Sequence, residues 1–220
     1  MRYRRQFVRN WVALIVLLPT CAPAALAQYR VLPGKIDENL GCMPSTPARI
    51  CLGAGNGHCY APASTKNYIF GMGPKAVVVG HLDGQPLILF SAVFDGCGSG
   101  TLTDYSMLTI REGEFLNLLP PVRLTNQSEH RLWNLPQVSA QPVLACADFI
   151  WNVQAGETHF DPHRYQIDAY VFDPSRGKYL KKLSYATTKE YPGLNEMDEI
   201  RVLGAEKPTI LARLRAQPRN

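Results

Sequence analysis

The sequence predicts an all-β fold built of repeated antiparallel strand meanders, arranged as propeller-like blades or as a curled sheet. Three observations predict it. Gln85-Pro86 opens the apolar run Leu87 to Phe94, Gln141-Pro142 opens Val143 to Trp151, and Lys207-Pro208 opens Thr209 to Leu214. Behind each of the first two runs the chain repeats one order: a gap, a tyrosine-led strand (from Tyr105 or Tyr165), a glycine turn (Gly113 or Gly177) and a short apolar strand. A period of roughly 60 residues made of short strands is the signature of a blade or meander array.

Residues 1–27 read as an export leader. Arg2, Arg4, Arg5 and Arg9 precede an apolar run from Trp11 to Leu18, and Ala25-Leu26-Ala27 supplies small residues for cleavage before Gln28. The run is shorter than the ~20 residues a spanning helix requires, so no membrane anchor is expected in the mature chain. The strongly apolar run favours the general secretory route over the twin-arginine route that Arg4-Arg5 also resembles. The expected location is the periplasm or exterior of a bacterium. Without the leader the chain carries 19 basic and 18 acidic side chains. No basic face of the kind that displaces counterions is visible, which argues against a nucleic-acid partner.

Residues 28–74 form a segment rich in Cys, Gly and Pro, and residues 75–220 the repeated domain. Five cysteines remain in the mature chain. In an exported protein, Cys42, Cys51, Cys59 and Cys97 are expected to form two disulfides, with three pairings open. A bridge from one of the first three to Cys97 would pin the segment to the first repeat. Cys146, among Leu144, Ala145 and Ala147, reads as a buried free thiol. Gly53 to Gly57 lacks the strand, helix and third glycine of a dinucleotide loop, so it reads as a turn between Cys51 and Cys59.

Ala76 to Gly80 is β-branched and leads through Leu82-Asp83-Gly84, a hairpin turn, into the first apolar run. Leu87 to Phe94 is apolar at successive positions, as a strand covered on both faces must be. Tyr105 to Arg111 and Phe115 to Leu119 make the next hairpin. Val143 to Trp151, Arg164 to Phe172 and Lys178 to Tyr185 form the second unit, and Pro208 to Leu214 a closing strand. Only Pro192 to Glu199 suggests a helical turn, and no long helix is expected outside the leader. The runs 86–94, 142–151 and 208–214 are the expected central strands.

Leu82-Asp83-Gly84-Gln85-Pro86-Leu87 resembles the aspartate-glycine turn of degenerate FG-GAP (integrin-like) propeller repeats. The resemblance implies short-strand blades. Their calcium-binding run of alternating aspartates is represented only by Asp83, so calcium binding is not implied. The stretches Glu157 to Tyr165 and Lys189 to Gly193 are similar to those of uncharacterised exported bacterial β-repeat proteins, a similarity that brings no activity with it.

Three residues form the candidate metal site. In an extended segment His159, Asp161 and His163 share one face, with Glu157 beside them, at a spacing that suits zinc. Pro162 opposes a regular strand there and favours turn-capping histidines instead. Asp148 stands where the first unit has Ala92. It is expected to be the one carboxylate inside, bonded to backbone amides or to Arg164. Asp104 reads as a turn residue. Cys97 lies in a glycine turn that lacks the elbow of a nucleophile motif. Tyr179, Tyr185 and Tyr191 near Lys181, Lys182 and Lys189 suggest an exposed aromatic and cationic patch suited to a glycan or an acidic partner. The function expected is a non-catalytic periplasmic or secreted binding protein, of envelope-accessory, inhibitor or toxin-protection type, whose partner is an envelope protein or glycan. The alternative is a metal-dependent hydrolase centred on His159, Asp161 and His163; otherwise no cofactor is expected.

Overall fold

A computed structural model describes residues 29–36, 43–55, 57–65, 67–96, 100–151, 156–158, 160–192 and 201–217. It contains β1 (Tyr29–Leu32), β2 (Arg49–Leu52), β3 (Cys59–Tyr60), β4 (Met72–Leu82), β5 (Gln85–Asp95), β6 (Thr101–Arg111), β7 (Glu114–Asn117), β8 (Val122–Thr125), β9 (Ser128–Trp133), β10 (Val143–Phe149), β11 (Tyr165–Asp173), β12 (Lys178–Ala186) and one helix, α1 (Val202–Arg215). Every strand pairing is antiparallel. The strands form a small amino-terminal sheet, β1-β2-β3, and two central sheets, each with four sequential strands in meander order: β4-β5-β6-β7 and β9-β10-β11-β12.

The layers follow from alternation along the strands. Leu87 and Leu89 of β5 face one way, with Tyr105 and Met107 of β6, and meet Leu144, Cys146 and Tyr170 of the second central sheet. Ile88, Phe90 and Ala92 face the other way, onto Ala48, Ile50 and Phe70 of the amino-terminal segment. In the second sheet Val143, Ala145 and Ala147 point away from the first, toward Val202, Leu203, Ile210 and Leu214 of α1. The order is therefore sheet, sheet, sheet, helix, with a core at each of three interfaces. Both faces of β5 and β10 are largely buried, which is why their sequences are apolar runs broken only by Ser91 and Asp148 within 87–94 and 143–149. Burying each large aliphatic or aromatic side chain of these runs contributes about 1.5–3 kcal/mol.

The two expected central strands at 86–94 and 142–151 are present and internal, although β10 ends at Phe149, leaving Ile150 and Trp151 exposed. The hairpins at Asp83-Gly84 and Glu112-Gly113 are also present. Both residues of each pair have positive φ (50° and 77°, 54° and 80°), the conformation that suits the twist of a two-residue hairpin. The third expected strand is not a strand. Residues 208–214 lie within α1, and Pro208 sits inside the helix. The buried side of α1 is Val202, Leu203, Glu206, Ile210 and Leu214, a stripe of helical period interrupted by one acid. That acid hides the stripe from an apolar reading, while Lys-Pro imitates the opening of the earlier runs. The helical turn expected at 192–199 falls almost wholly outside the described residues.

β8 and β9 are unforeseen, although β8 alternates. Val122 and Leu124 are buried between half-exposed Arg123 and Thr125. β7 and β8 share one side of β6, pairing with its end at 108–111 and its start at 102–105, with Pro120-Pro121 in the break between them. The amino-terminal sheet is secured by a disulfide joining directly paired Cys51 and Cys59. Of the three pairings open to the four cysteines, this leaves the one in which the bridge to Cys97 would come from Cys42; Cys42 and Cys97 lie outside the described residues. Cys146 is free and buried, as expected.

Candidate functional site: a polar cleft between the central sheets

Between β8 and the second central sheet the inter-sheet core opens into a cleft of about 450 Å³. Its chemistry is written along two strands. On β10 the side chains facing the first sheet run Leu144, Cys146, Asp148; on β11 they run Tyr170, Asp168, Gln166. Register sets them side by side, with Leu144 opposite Tyr170, Cys146 opposite Asp168 and Asp148 opposite Gln166. The surface thus passes from apolar to polar within three residues. Ser184 of β12 stands opposite Asp168 and Lys181 opposite Tyr170, the two registers separated by a bulge at Ala169/Tyr170.

Asp168 is the hub. Its Oδ1 accepts from Ser184 Oγ at 2.7 Å and from Gln166 Nε2 at 3.3 Å. Its Oδ2 meets Lys181 Nζ at 2.6 Å and accepts from the Tyr170 hydroxyl at 3.4 Å. Asp148 is held differently. Its Oδ1 accepts from the backbone N–H of Thr125 at 3.2 Å and also from the Thr125 hydroxyl. Burial raises the Asp148 carboxyl above its ordinary range, the Thr125 hydrogen bonds oppose that, and the neighbouring Asp168 adds to the rise. Burial, with Asp168 and Asp148 adding to it, pushes the Cys146 thiol far up, so it stays protonated and inert. The two carboxylates of the cleft are thus held differently: Asp168 pairs with an ammonium, whereas Asp148 is held by Thr125 and burial favours its neutral form.

The expectation that Asp148 bonds to a backbone amide or to Arg164 is met by the amide, but Asp148 is not the one carboxylate inside. Arg164 turns away to donate to Thr187 O at 2.6 Å. Asp148 is only half-buried, whereas Asp104, Glu129, Asp173 and Glu206 are buried. Asp104 is mid-strand in β6 rather than in a turn, and it pairs with Arg123 at 3.3 Å.

The candidate metal residues are otherwise engaged. Asp161 Oδ2 accepts from Thr158 N at 2.6 Å and Thr158 Oγ at 2.9 Å, closing a turn on the surface. These two bonds hold its carboxyl below the ordinary range. The His163 side chain is fully buried, stacked on Trp151 and edge-on to Phe149. Its Nε2 lies 2.9 Å from Thr158 O and so donates to it, while Nδ1 lies 3.4 Å from Glu157 Oε2. With its backbone bridged to Tyr191, the ring is a wedge under the loop rather than a ligand facing solvent. His159 lies outside the described residues. Among those described, no group of three or more His, Cys, Asp or Glu is placed to hold a metal ion.

The aromatic and cationic patch resolves into buried rings and surface cations. Tyr179 and Tyr191 are buried. Tyr179 donates to Pro142 O at 3.0 Å, and Tyr185 and Tyr191 both donate to Glu206. Lys181 and Lys189 lie over the rings of Tyr170 and Tyr191. Of the residues in and around the cleft, sequence reading singled out Asp148, Cys146 and Lys181 but not Gln166, Asp168 or Ser184. The available signal was alternation in Tyr165 to Tyr170, where Tyr165, Ile167 and Ala169 turn inward to α1 and the residues between them face the cleft.

The chain matches no protein-family model, no curated protein and no solved structure. Among the described residues, no helix is long and apolar enough to cross a membrane.

Proposed function

We propose that this is a non-catalytic binding protein of the bacterial periplasm or exterior, of envelope-accessory, inhibitor or toxin-protection type, which recognises an envelope protein or glycan at the polar cleft. The observation that carries this reading is the saturation of Asp168 by Ser184, Gln166, Lys181 and Tyr170. A carboxylate working as a base or nucleophile must offer a lone pair to the reacting atom. Asp168 spends its oxygens on orienting four donors, and those donors form the recognition surface. Lys181 is half exposed at the rim and remains able to meet an acceptor on a partner. The Cys51–Cys59 disulfide supports an oxidising compartment, and the leader-like start supports export. Asp83-Gly84 in the turn ahead of β5 supports the likeness to FG-GAP repeats.

The test is surface plasmon resonance of the immobilised protein against soluble peptidoglycan fragments and against purified envelope proteins. The expected result is saturable binding that Lys181→Glu or Gln166→Ala weakens while thermal stability is retained. Binding untouched by both substitutions would remove the cleft from the reading. The hydrolase alternative turns on His159. A full equivalent of zinc in the untagged protein, lost in His159→Ala/His163→Ala, would replace the binding reading with it; the expected outcome is no stoichiometric metal.

A further inference from the structure

A second and larger groove, about 970 Å³, lies away from the polar cleft, beside the carboxyl-terminal end of α1. Its walls are the 137–141 connection, the β11–β12 turn, and the Leu82 end of the β4–β5 hairpin. Leu82 and Phe172 belong to the core between the two sheets, while Val138, Val171 and Leu214 belong to the core beneath the helix. Both cores thus reach the surface here and give the groove a continuous, largely aliphatic floor. Its size falls in the range of pockets that enclose small ligands.

The rim carries unbalanced charge. Arg215, in the last turn of α1, is exposed and has no ion pair or hydrogen bond among the described residues. Lys182 stands on the same rim, where the backbone carbonyl of that residue accepts from Gln217 and fixes the turn after the helix. The one carboxylate lining the groove, Asp173, is committed to its own turn. Its Oδ1 accepts from Ser175 N at 3.0 Å, Ser175 Oγ at 2.6 Å and Arg176 N at 3.3 Å. Gln141 is likewise engaged, donating to His81 O at 3.0 Å. Lys182 lies close enough to Asp173 to help hold its carboxyl down, so Arg215 is the rim cation left without an acid among the described residues, facing a groove whose floor is apolar.

We propose that this groove binds a single-chain aliphatic carboxylate, its hydrocarbon tail on the Leu82–Val138–Val171–Leu214 floor and its head group at Arg215 and Lys182. The tail gains by leaving water, in proportion to the apolar area covered. Arg215 supplies a planar pair of donors for a carboxylate and Lys182 a point charge. This site is independent of the polar cleft, so either can fail without the other.

Calorimetric titration of the protein with decanoate, decanol and decyltrimethylammonium, each below its aggregation threshold, tests the inference. Decanoate is expected to bind at one equivalent, more tightly than decanol, with the ammonium compound weakest. Arg215→Gln/Lys182→Gln should weaken decanoate by about tenfold and bring it level with decanol. Ala140→Trp, which places a ring in the groove from an exposed wall position, should abolish both. Circular dichroism and melting curves confirm that each variant is folded. Absence of saturable decanoate binding, equal affinity for all three amphiphiles, or binding indifferent to Ala140→Trp would overturn the proposal.

Discussion

The two central sheets, one of five strands and one of four, both have both faces covered, yet their outer covers are attached by opposite means. The first sheet is covered by the amino-terminal segment, whose three strands total ten residues. So small a sheet has little apolar area to offset the entropy of ordering it. It is cross-linked internally at Cys51–Cys59 and pinned to the first central sheet through Tyr60, whose hydroxyl lies 2.8 Å from Ser106 Oγ and accepts from Asn117 Nδ2 at 3.2 Å. The second sheet is covered by α1, which carries no cross-link. The helix begins at Arg201 with no side-chain cap of its own. Buried Glu129 of β9 instead accepts from Leu203 N at 2.8 Å, placing a carboxylate at the positive end of the helix dipole. Buried Glu206 then accepts from both Tyr185 and Tyr191. One cover is held by a covalent bond that constrains the unfolded chain, the other by buried acids whose hydrogen bonds exist only in the folded one. A short irregular cover needs its freedom limited before folding, whereas a helix with its backbone already paired needs only to be aligned.

The largest effect expected concerns the helix seat. Glu206→Ala removes the acceptor of two tyrosine hydroxyls, one of them on a buried ring, and should cost about 2–4 kcal/mol in urea unfolding. Glu129→Ala should cost less, about 1–2 kcal/mol, as the loss of a cap does. Tyr191→Phe combined with Tyr185→Phe should relieve part of the Glu206→Ala cost. If Glu206→Ala is neutral, the polar seat is no better than packing alone and the contrast between the covers collapses.

Next comes the bridge. Cys51→Ser/Cys59→Ser should cost about 2–3 kcal/mol, the scale for closing a loop of this length. The loss should appear as early hydrogen exchange in 49–60 with α1 still protected. Peptide mapping without reductant should return Cys51–Cys59 and a Cys146 that reacts only after unfolding. Should two bridges form, the second joins Cys42 to Cys97, the pair that remains. A simultaneous loss of protection in both covers would show that they unfold as one unit.

The smallest effect sharpens the contrast between carboxylates that burial governs and those that hydrogen bonds govern. Asp148 has a raised folded-state pKa, so its neutral form is favoured in the fold. The sign follows: its contribution to stability is fully present below the unfolded-state pKa and is lost as pH rises through the folded one. Asp148→Asn keeps an acceptor for Thr125 and should raise the melting temperature at pH 7, with the gain vanishing by about pH 3. Asp161, held down by Thr158, should titrate below Asp148 in a carbon-detected NMR titration. The reverse order would mean that Asp148 is more solvated than its place in the cleft requires.

Much of this architecture was legible in the chain. Strands covered on both faces are apolar at nearly every position, so Leu87 to Phe94, interrupted by Ser91, and Val143 to Phe149, interrupted by Asp148, declared themselves. The two-residue turns declared themselves through Asp83-Gly84 and Glu112-Gly113, because few residues tolerate positive φ. Cys146 among small apolar neighbours could only be an interior thiol. What tertiary structure alone decided were the polar contacts between distant strands. Whether Glu206 belongs to an apolar stripe depends on two tyrosines on other elements, so α1 could not be separated from a strand by its own residues. Asp168 becomes a hub only because Ser184 and Lys181 arrive from β12 across a bulge, and a one-residue slip there would turn both to the other face. Asp161 and His163 share a face only if the chain is extended, and Thr158 folds it into a turn instead. Local sequence determined which residues had to be buried; the register between strands decided which polar groups met.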